Sequence, residues 1–275
     1  MLEKIIWISH SAISDFETCP RLYYFRHIYR NPITGNKVQL VNPYLTLGTV
    51  VHKVLEEVNL LPPKERLGIP LLERFERLWS FCQGKKGGFV NENQEIKFKE
   101  RGEQMLEKIE QNPRIIKNPS YRIKSELPKV RLFKNRELLL VGNIDWIEAL
   151  PDEGAHIIDF KTGKNEEKKD SLQLPIYMVL AKYYLKHPVK KVSFWYLAKN
   201  AEPVPLKLEK IQHYIPKIRE KALEIKRTVD LGQFFCSSLR RNCECKNYEK
   251  ISMAKADYVG YDSKMNKDLF FIKKY

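Results

Sequence analysis

The stretch VGNIDWIEALPDEGAHIIDFKTGK, residues 141–164, sets two acidic residues and a lysine on the pattern of a β-hairpin. Asp145 follows the apolar run Leu138, Leu139, Leu140 and Val141 and continues through Trp146 and Ile147, which reads as a first strand carrying a carboxylate. Pro151-Asp152-Glu153-Gly154 supplies turn residues, and Ile157-Ile158-Asp159-Phe160-Lys161 reads as a second strand ending at Thr162-Gly163. Successive strand side chains point to opposite faces, so Asp159 and Lys161 share one face and Phe160 packs away from them. With Asp145 opposite, two carboxylates can hold Mg²⁺ or Mn²⁺ through oxygen, with Lys161 beside them to orient water or stabilise charge on phosphorus. The same Asp-x-Lys pattern also fits an exposed ion pair at a strand end, which is worth little. The rest of the chain has to decide.

Composition points to a polyanion. The 275 residues are 43% hydrophobic, enough for a proper core, and 49 Lys and Arg against 34 Asp and Glu leave a net charge of +15. That balance favours nucleic acid over a small neutral substrate. An acidic membrane surface would call for a basic amphipathic helix or a lipidation signal, and neither occurs; no apolar run approaches the ~20 residues of a membrane span. The opening MLEKIIWISH is too short in apolar residues for a secretory signal, so a cytoplasmic protein without membrane contact is expected.

Along the chain, Ser9 and Ser11 can cap a helix, and Ser14-Asp15-Phe16-Glu17 has capping-box spacing of its own. Cys19-Pro20-Arg21-Leu22-Tyr23-Tyr24-Phe25-Arg26-His27 interleaves basic and aromatic residues, which suits phosphate tracking and base stacking by Arg21, Tyr23 and Tyr24, and equally suits aromatics in a core. Residues 47–58 read as a helix with Val51, Leu55 and Val58 on its apolar stripe and His52 and Glu56 on one face. Residues 70–83 and 95–111 read as charged helices around a flexible basic loop, Gly84-Lys85-Lys86-Gly87-Gly88, within a helical insertion over about 60–115. Residues 121–133, with Glu126 inside, read as a strand, and Lys134-Asn135-Arg136 as the turn that follows. Residues 171–180 read as a helix with Gln173 and Tyr177 on one face, 190–198 as a strand and 207–228 as an amphipathic helix. Residues 234–248 hold three of the five cysteines, and 264–275 carry no readable role.

In this order the pieces resemble the PD-(D/E)xK nucleases of the RecB type, which include the nuclease modules of RecBCD and AddAB enzymes and the CRISPR adaptation nucleases. The resemblance is carried by Cys19-Pro20-Arg21, Gly48-Thr49-Val50-Val51-His52, Gly142-Asn143-Ile144-Asp145, Asp159-Phe160-Lys161-Thr162-Gly163, Gln173 with Tyr177, and the cysteine-bearing tail. It implies an α/β restriction-endonuclease-like fold, a central mixed sheet flanked by helices, with residues 1–250 as one nuclease domain and 251–275 as a tail. It implies that His52, Asp145, Asp159 and the backbone carbonyl of Phe160 are metal ligands, that Lys161 is the catalytic lysine, and that Gln173 and Tyr177 hold DNA near the metal. Glu126 is a further acidic candidate.

The resemblance further implies that Cys19, Cys236, Cys243 and Cys245 form one metal centre. In the iron–sulfur subset of the family, four thiolates hold a [4Fe–4S] cluster. Here Cys243 and Cys245 are one residue closer than usual and no cysteine follows Tyr248, so Cys236 substitutes from upstream; zinc and scattered buried thiols are the alternatives. No Gly-x-x-x-x-Gly-Lys-Ser/Thr occurs, so any unwinding would come from a separate helicase. The expected activity is metal-dependent DNA cleavage at single strands or ends, in repair, recombination, phage or CRISPR-related processing. The alternative is a catalytically inactive DNA-binding subunit of a larger complex.

Overall fold

The structure, a computed structural model, describes residues 5–134, 136–236 and 243–273. In chain order the elements are β1 (Ile6–Ile8), α1 (His10–Thr18), α2 (Pro20–Tyr23), β2 (Lys37–Leu40), α3 (Pro43–Leu60), α4 (Leu71–Trp79), α5 (Glu92–Gln111) and α6 (Arg114–Lys117). They continue with β3 (Lys129–Phe133), β4 (Arg136–Val141), β5 (Trp146–Ala149), β6 (Ala155–Lys161), α7 (Gln173–Tyr184), β7 (Val189–Tyr196), β8 (Val204–Pro205), α8 (Ile211–Leu231), α9 (Cys245–Ser252), β9 (Asp257–Asp262) and β10 (Lys267–Phe271).

The site is carried by a four-stranded mixed sheet in the order β5-β6-β7-β8. β5 and β6 form the antiparallel hairpin expected from the central stretch, and α7 crosses over to lay β7 parallel to β6. Both faces of this sheet are covered, which is why β6 is apolar on both sides yet still alternates. Ile157 packs with α7, α8 and a second sheet, β1-β4-β3, while Ile158 and Phe160 pack with α3, α4 and α5 on the other face. The fold is α/β and restriction-endonuclease-like, with a mixed sheet flanked by helices as expected.

Several elements differ from the sequence reading. Residues 138–141 belong to β4 in the second sheet, paired with β1 and β3, so the first arm of the hairpin begins only at Trp146. Gly142 permits the passage between sheets: a side chain there would meet Tyr177 Cε1 and Leu180 Cδ1 at 3.2 Å. The strand expected over 121–133 starts at Lys129; upstream, Tyr121 N–H donates to Ile147 O at 2.8 Å and so borders β5 instead. Ser9, not Ser14, caps α1, its side chain accepting from Ala12 N–H at 3.0 Å. α3 begins at Pro43, earlier than its apolar stripe, because Asn42 caps Leu45 N–H and Pro43 takes the first turn. Asn135 lies outside the described residues.

The helical insertion is built into the core. Its apolar residues Phe75, Trp79, Met105 and Leu106 share one cluster with Val51, Leu55 and Trp146. Gly84–Gly87 is a 3₁₀ turn rather than an open loop, with Thr46 Oγ1 donating to Gly87 O at 2.9 Å. Arg66 is buried and donates to Leu61 O, Ile116 O, Asn118 O and Ser120 Oγ, which ties the insertion's two ends together beside Trp146. Residues 251–275, expected as a tail, supply β9 and β10; β10 is the centre of a third sheet, parallel to β2 and antiparallel to β9.

α5 lies against α4 and α3 at Gly102, where an added Cβ would come within 2.4 Å of Phe75 Cζ and 3.0 Å of Leu47 Cδ1. Gly102→Ala gains about 1 kcal/mol of helix propensity but overpacks a ring that has nowhere to go, at about 1–3 kcal/mol. The variant is expected to melt several degrees lower, at roughly 2–4 °C per kcal/mol. A melting temperature equal to or above that of the unmodified protein would show that the helices part freely at this point.

Candidate active site

The candidate residues converge at the C-terminal end of β6. β5–β6 pairing sets Trp146 against Ile158, and one step further it sets Asp145 beside Asp159. Asp145 Oδ2 caps the hairpin end by accepting the Phe160 N–H at 2.9 Å, and its Oδ1 lies 3.2 Å from His52 Nδ1 on α3. Gly48, one turn before His52, faces Thr162 Oγ1 at 3.1 Å from where a Cβ would stand, so α3 can press against the end of β6. Asp159 is 2% exposed and Lys161 lies beside it, Nζ to Oδ2 3.0 Å, while Phe160 is buried on the opposite face between Trp146 and Trp195. Lys161 O accepts from Leu197 N–H on the β7 side, so the N–H and C=O of Phe160 face the other edge, toward Asp145.

α7 brings its first turn to the same point. Gln173 accepts a short hydrogen bond from Lys161 Nζ and donates through Nε2 to Asp159 Oδ1 at 2.6 Å and to Tyr177 Oη at 3.2 Å. The i, i+4 spacing of Gln173 and Tyr177 therefore forms one hydrogen-bonded line above the carboxylate. Two members went unnoticed in the sequence. Glu167 pairs with Lys161 at 2.9 Å, and His10 lies 4.0 Å from Glu167 and hydrogen-bonds Ser171 Oγ at 3.2 Å. Glu167 sits in a charged loop with no periodic signal, and His10 lies in what reads as a capping motif.

The charges follow from burial. Burial and the neighbouring Asp145 carboxylate push Asp159 up to about 7, against the pull of Lys161 and His52. Burial opposes a charge on His52, but Asp145 and its hydrogen bond outweigh it and lift the imidazole to about 9. Burial likewise opposes a charge on Lys161, yet Asp159 and Glu167 raise it. Tyr177 is held well above the ordinary phenol value by burial and by both aspartates, so it stays a neutral donor.

Two carboxylates, an imidazole and a free-facing carbonyl are the donor chemistry of a divalent-cation site. The donor set fits such a cation at Asp159 Oδ2, which is buried and, among the described residues, has no hydrogen-bond partner beyond the ammonium facing it. They stand as ion pairs, His52 on Asp145 and Lys161 on Asp159, and are not gathered round one point. Among the described residues, the one set of His, Cys, Asp or Glu atoms close enough to share an ion is Cys19, Cys236, Cys243 and Cys245, all within 4.8 Å of one another.

A cleft of about 490 Å³ opens beside His52 and Asp145, walled by α3, by residues 121–128 including Glu126, and by Lys264 and Met265 of the β9–β10 turn. The basic-aromatic segment does not line it. Tyr23 is buried and stacked on His27, Arg21 pairs with Glu249 at 2.8 Å, and Tyr24 packs on Phe25, Tyr29 and Phe234. The base-stacking reading of Tyr23 and Tyr24 is therefore corrected: the ring of Tyr23 is buried in the main core and that of Tyr24 packs beside the cysteines, while Arg21 is exposed and engaged by Glu249.

The profile of the PD-(D/E)XK nuclease superfamily matches residues 7–248. The chain belongs to this superfamily. Membership points to metal-dependent nuclease chemistry, for which divalent metals are the superfamily's usual cofactors. A search of curated proteins returns no match to this nuclease chain. No helix among its described residues is long and apolar enough to cross a membrane.

The metal-free site prefers acid. His52, raised from 6.5 to about 9, contributes stability that is full below about pH 6.5 and is lost as pH rises through about 9. Asp159, raised from 3.8 to about 7, favours its neutral form; its contribution is full below about pH 4 and is lost as pH rises through about 7. Asp159→Asn should therefore melt higher than the unmodified nuclease in chelator at pH 8, by roughly 3 °C or more, and equally at pH 4. Mn²⁺ should stabilise the unmodified protein increasingly from pH 5.5 to 8, because the imidazole must lose its proton to ligate, and should leave the variant unmoved. Equal melting of the two proteins at pH 8 in chelator would refute the buried charge.

Proposed function

We propose that this nuclease is a Mg²⁺- or Mn²⁺-dependent deoxyribonuclease acting on single strands or DNA ends, in repair, recombination, phage or CRISPR-related processing. The observation that carries the reading is the meeting of His52, Asp145, Asp159 and Lys161 at one strand end. His52, Asp145, Asp159 and the Phe160 carbonyl would hold the cation, which when bound supplies Lewis-acid stabilisation of charge on phosphorus. Lys161, protonated and held by Glu167, places a positive charge next to that centre. Gln173 fixes both the lysine and the carboxylate, and Tyr177 offers a neutral hydroxyl beside them. Unwinding, where a substrate requires it, comes from a separate helicase, and the working compartment is the cytoplasm.

The cysteines form a second centre, read as a structural staple. The likeness to the iron–sulfur subset favours a [4Fe–4S] cluster held by Cys19, Cys236, Cys243 and Cys245. Burial and mutual contact raise the thiols of Cys19 and Cys245. Zinc is favoured by the spacing: four thiolates about 2.3 Å from one ion stand about 3.8 Å apart, and Cys245 Sγ lies 3.5 Å from Cys236 Sγ.

Two measurements test these assignments. Asp159→Ala and Lys161→Ala should lose at least about 10² in cleavage of end-labelled single strands in Mg²⁺, with DNA binding nearly unchanged, since binding rests on dispersed phosphate contacts. Wild-type cutting by Lys161→Ala would remove the lysine from the chemistry. Protein purified without oxygen should carry stoichiometric iron or zinc, and Cys19→Ser should lose it and increase amide exchange in residues 19–28 and 243–271. Protein free of both metals would refute the staple and leave the nuclease site as it stands.

A further inference from the structure

The chain's excess positive charge is not in the catalytic cleft. There Lys53, Arg122 and Lys264 are balanced by Glu56, Glu126 and Asp262 beside the site carboxylates. A second concavity, of about 720 Å³, lies between the C-terminal half of α7, the start of β7 and the stretch leading from β8 into α8. Lys182, Lys186, Lys190, Lys191, Lys207 and Lys210 line it, all exposed, against the one acidic residue Glu209. Lys190 pairs with Asp152 at 2.6 Å; the other five ammonium groups have no carboxylate partner among the described residues.

We propose that this groove binds the phosphate backbone of the nucleic acid outside the cleft, so that the substrate is gripped at two places. The proposal rests on the nuclease reading above. Like charges gathered in one concavity repel each other, and a polyanion is the ligand that turns that repulsion into attraction. The position suits the flank of a bound strand. Register pairs Lys161 with Tyr196 at one end of β7, while Lys190 and Lys191 lie at the other, roughly 20 Å away at about 3.3 Å per residue. α7 spans the same interval, with Gln173 at its start and Lys182 near its end.

The lining chemistry selects backbone over bases and over protein. The groove has no Phe, Tyr, Trp or Arg, and its one ring, His187, is already stacked on Tyr121 at 4.1 Å, so it offers neither an open stacking platform nor a bidentate fork. Lysines acting as point charges hold phosphate without regard to sequence. The apolar floor, Met178, Leu185, Leu206 and Leu208, is partly buried against the main core, so the lysines at the rim are the groups most open to a ligand.

The test uses the full chain with Asp159→Asn, which binds without cutting, and a second form in which Lys182, Lys186, Lys191, Lys207 and Lys210 are also changed to Gln. Binding is measured against salt for a single strand of about five nucleotides and one of about thirty. The long strand should lose roughly tenfold or more in affinity at ~0.15 M salt, with the slope of log Kd against log salt falling by about 0.7 for each phosphate contact removed. The short strand should bind both forms equally. An unchanged slope for the long strand, or an equal loss for the short one, overturns the proposal. So does a poly-glutamate peptide that competes better than the long strand, which would assign the groove to an acidic protein. If the five-fold variant does not melt like its parent, the pairs Lys182/Lys186 and Lys207/Lys210 are replaced separately, and each must give part of the slope change. Failure of the nuclease reading is distinguishable: the unmodified chain would not cut DNA, while the long strand would still show the lysine-dependent slope.

Discussion

Asp159 is a carboxylate taken out of water, and the architecture around it is arranged to make that tolerable. A buried charge costs several kcal/mol unless partners replace its hydration. Lys161, two residues along the same strand, supplies the opposite charge, and Gln173 supplies the neutral donor from the helix that follows. Gln173 depends on the β6–α7–β7 crossover, which seats α7 with its first turn over the end of β6. The second carboxylate, Asp145, reaches the site by a change of sheet at Gly142 and is locked by a backbone N–H of the strand it faces.

Local rules made much of this legible. Alternation along β6 separates Asp159 and Lys161 from Phe160, and helical spacing aligns Gln173 with Tyr177; both arrangements are present in the fold. The register that brings Asp145 beside Asp159 follows from a short turn. What stayed hidden depends on contacts between distant segments. Glu167 reaches Lys161 from a loop with no period, and the parallel pairing of Lys37–Leu40 with Lys267–Phe271 has no local signature. The basic-aromatic segment misled for a related reason: interleaving looks the same whether the rings meet bases or a core, and here Tyr23 and Phe25 meet a core.

The N-terminal helices and the C-terminal segment are held together by more than thiols. Arg26 donates to Asp15 at 2.6 Å, to Glu244 at 2.5 Å and to Tyr248 Oη at 3.2 Å, while His27 shares the other oxygen of Asp15 at 2.9 Å. This network frames the cysteine pocket, and Asp268 on β10 accepts from Asn31, Thr34 and Asn36 in the turn before β2.

The parallel pairing of β2 with β10 also sets an order of events during synthesis. β2 is made early, yet its partner is among the last residues described, and parallel pairing of remote segments is slow to form. Until those partners have been made, Leu22, Val38 and Cys19 lack the neighbours that bury them in the finished fold. The pocket that buries them cannot close until Cys243 and Cys245 have emerged.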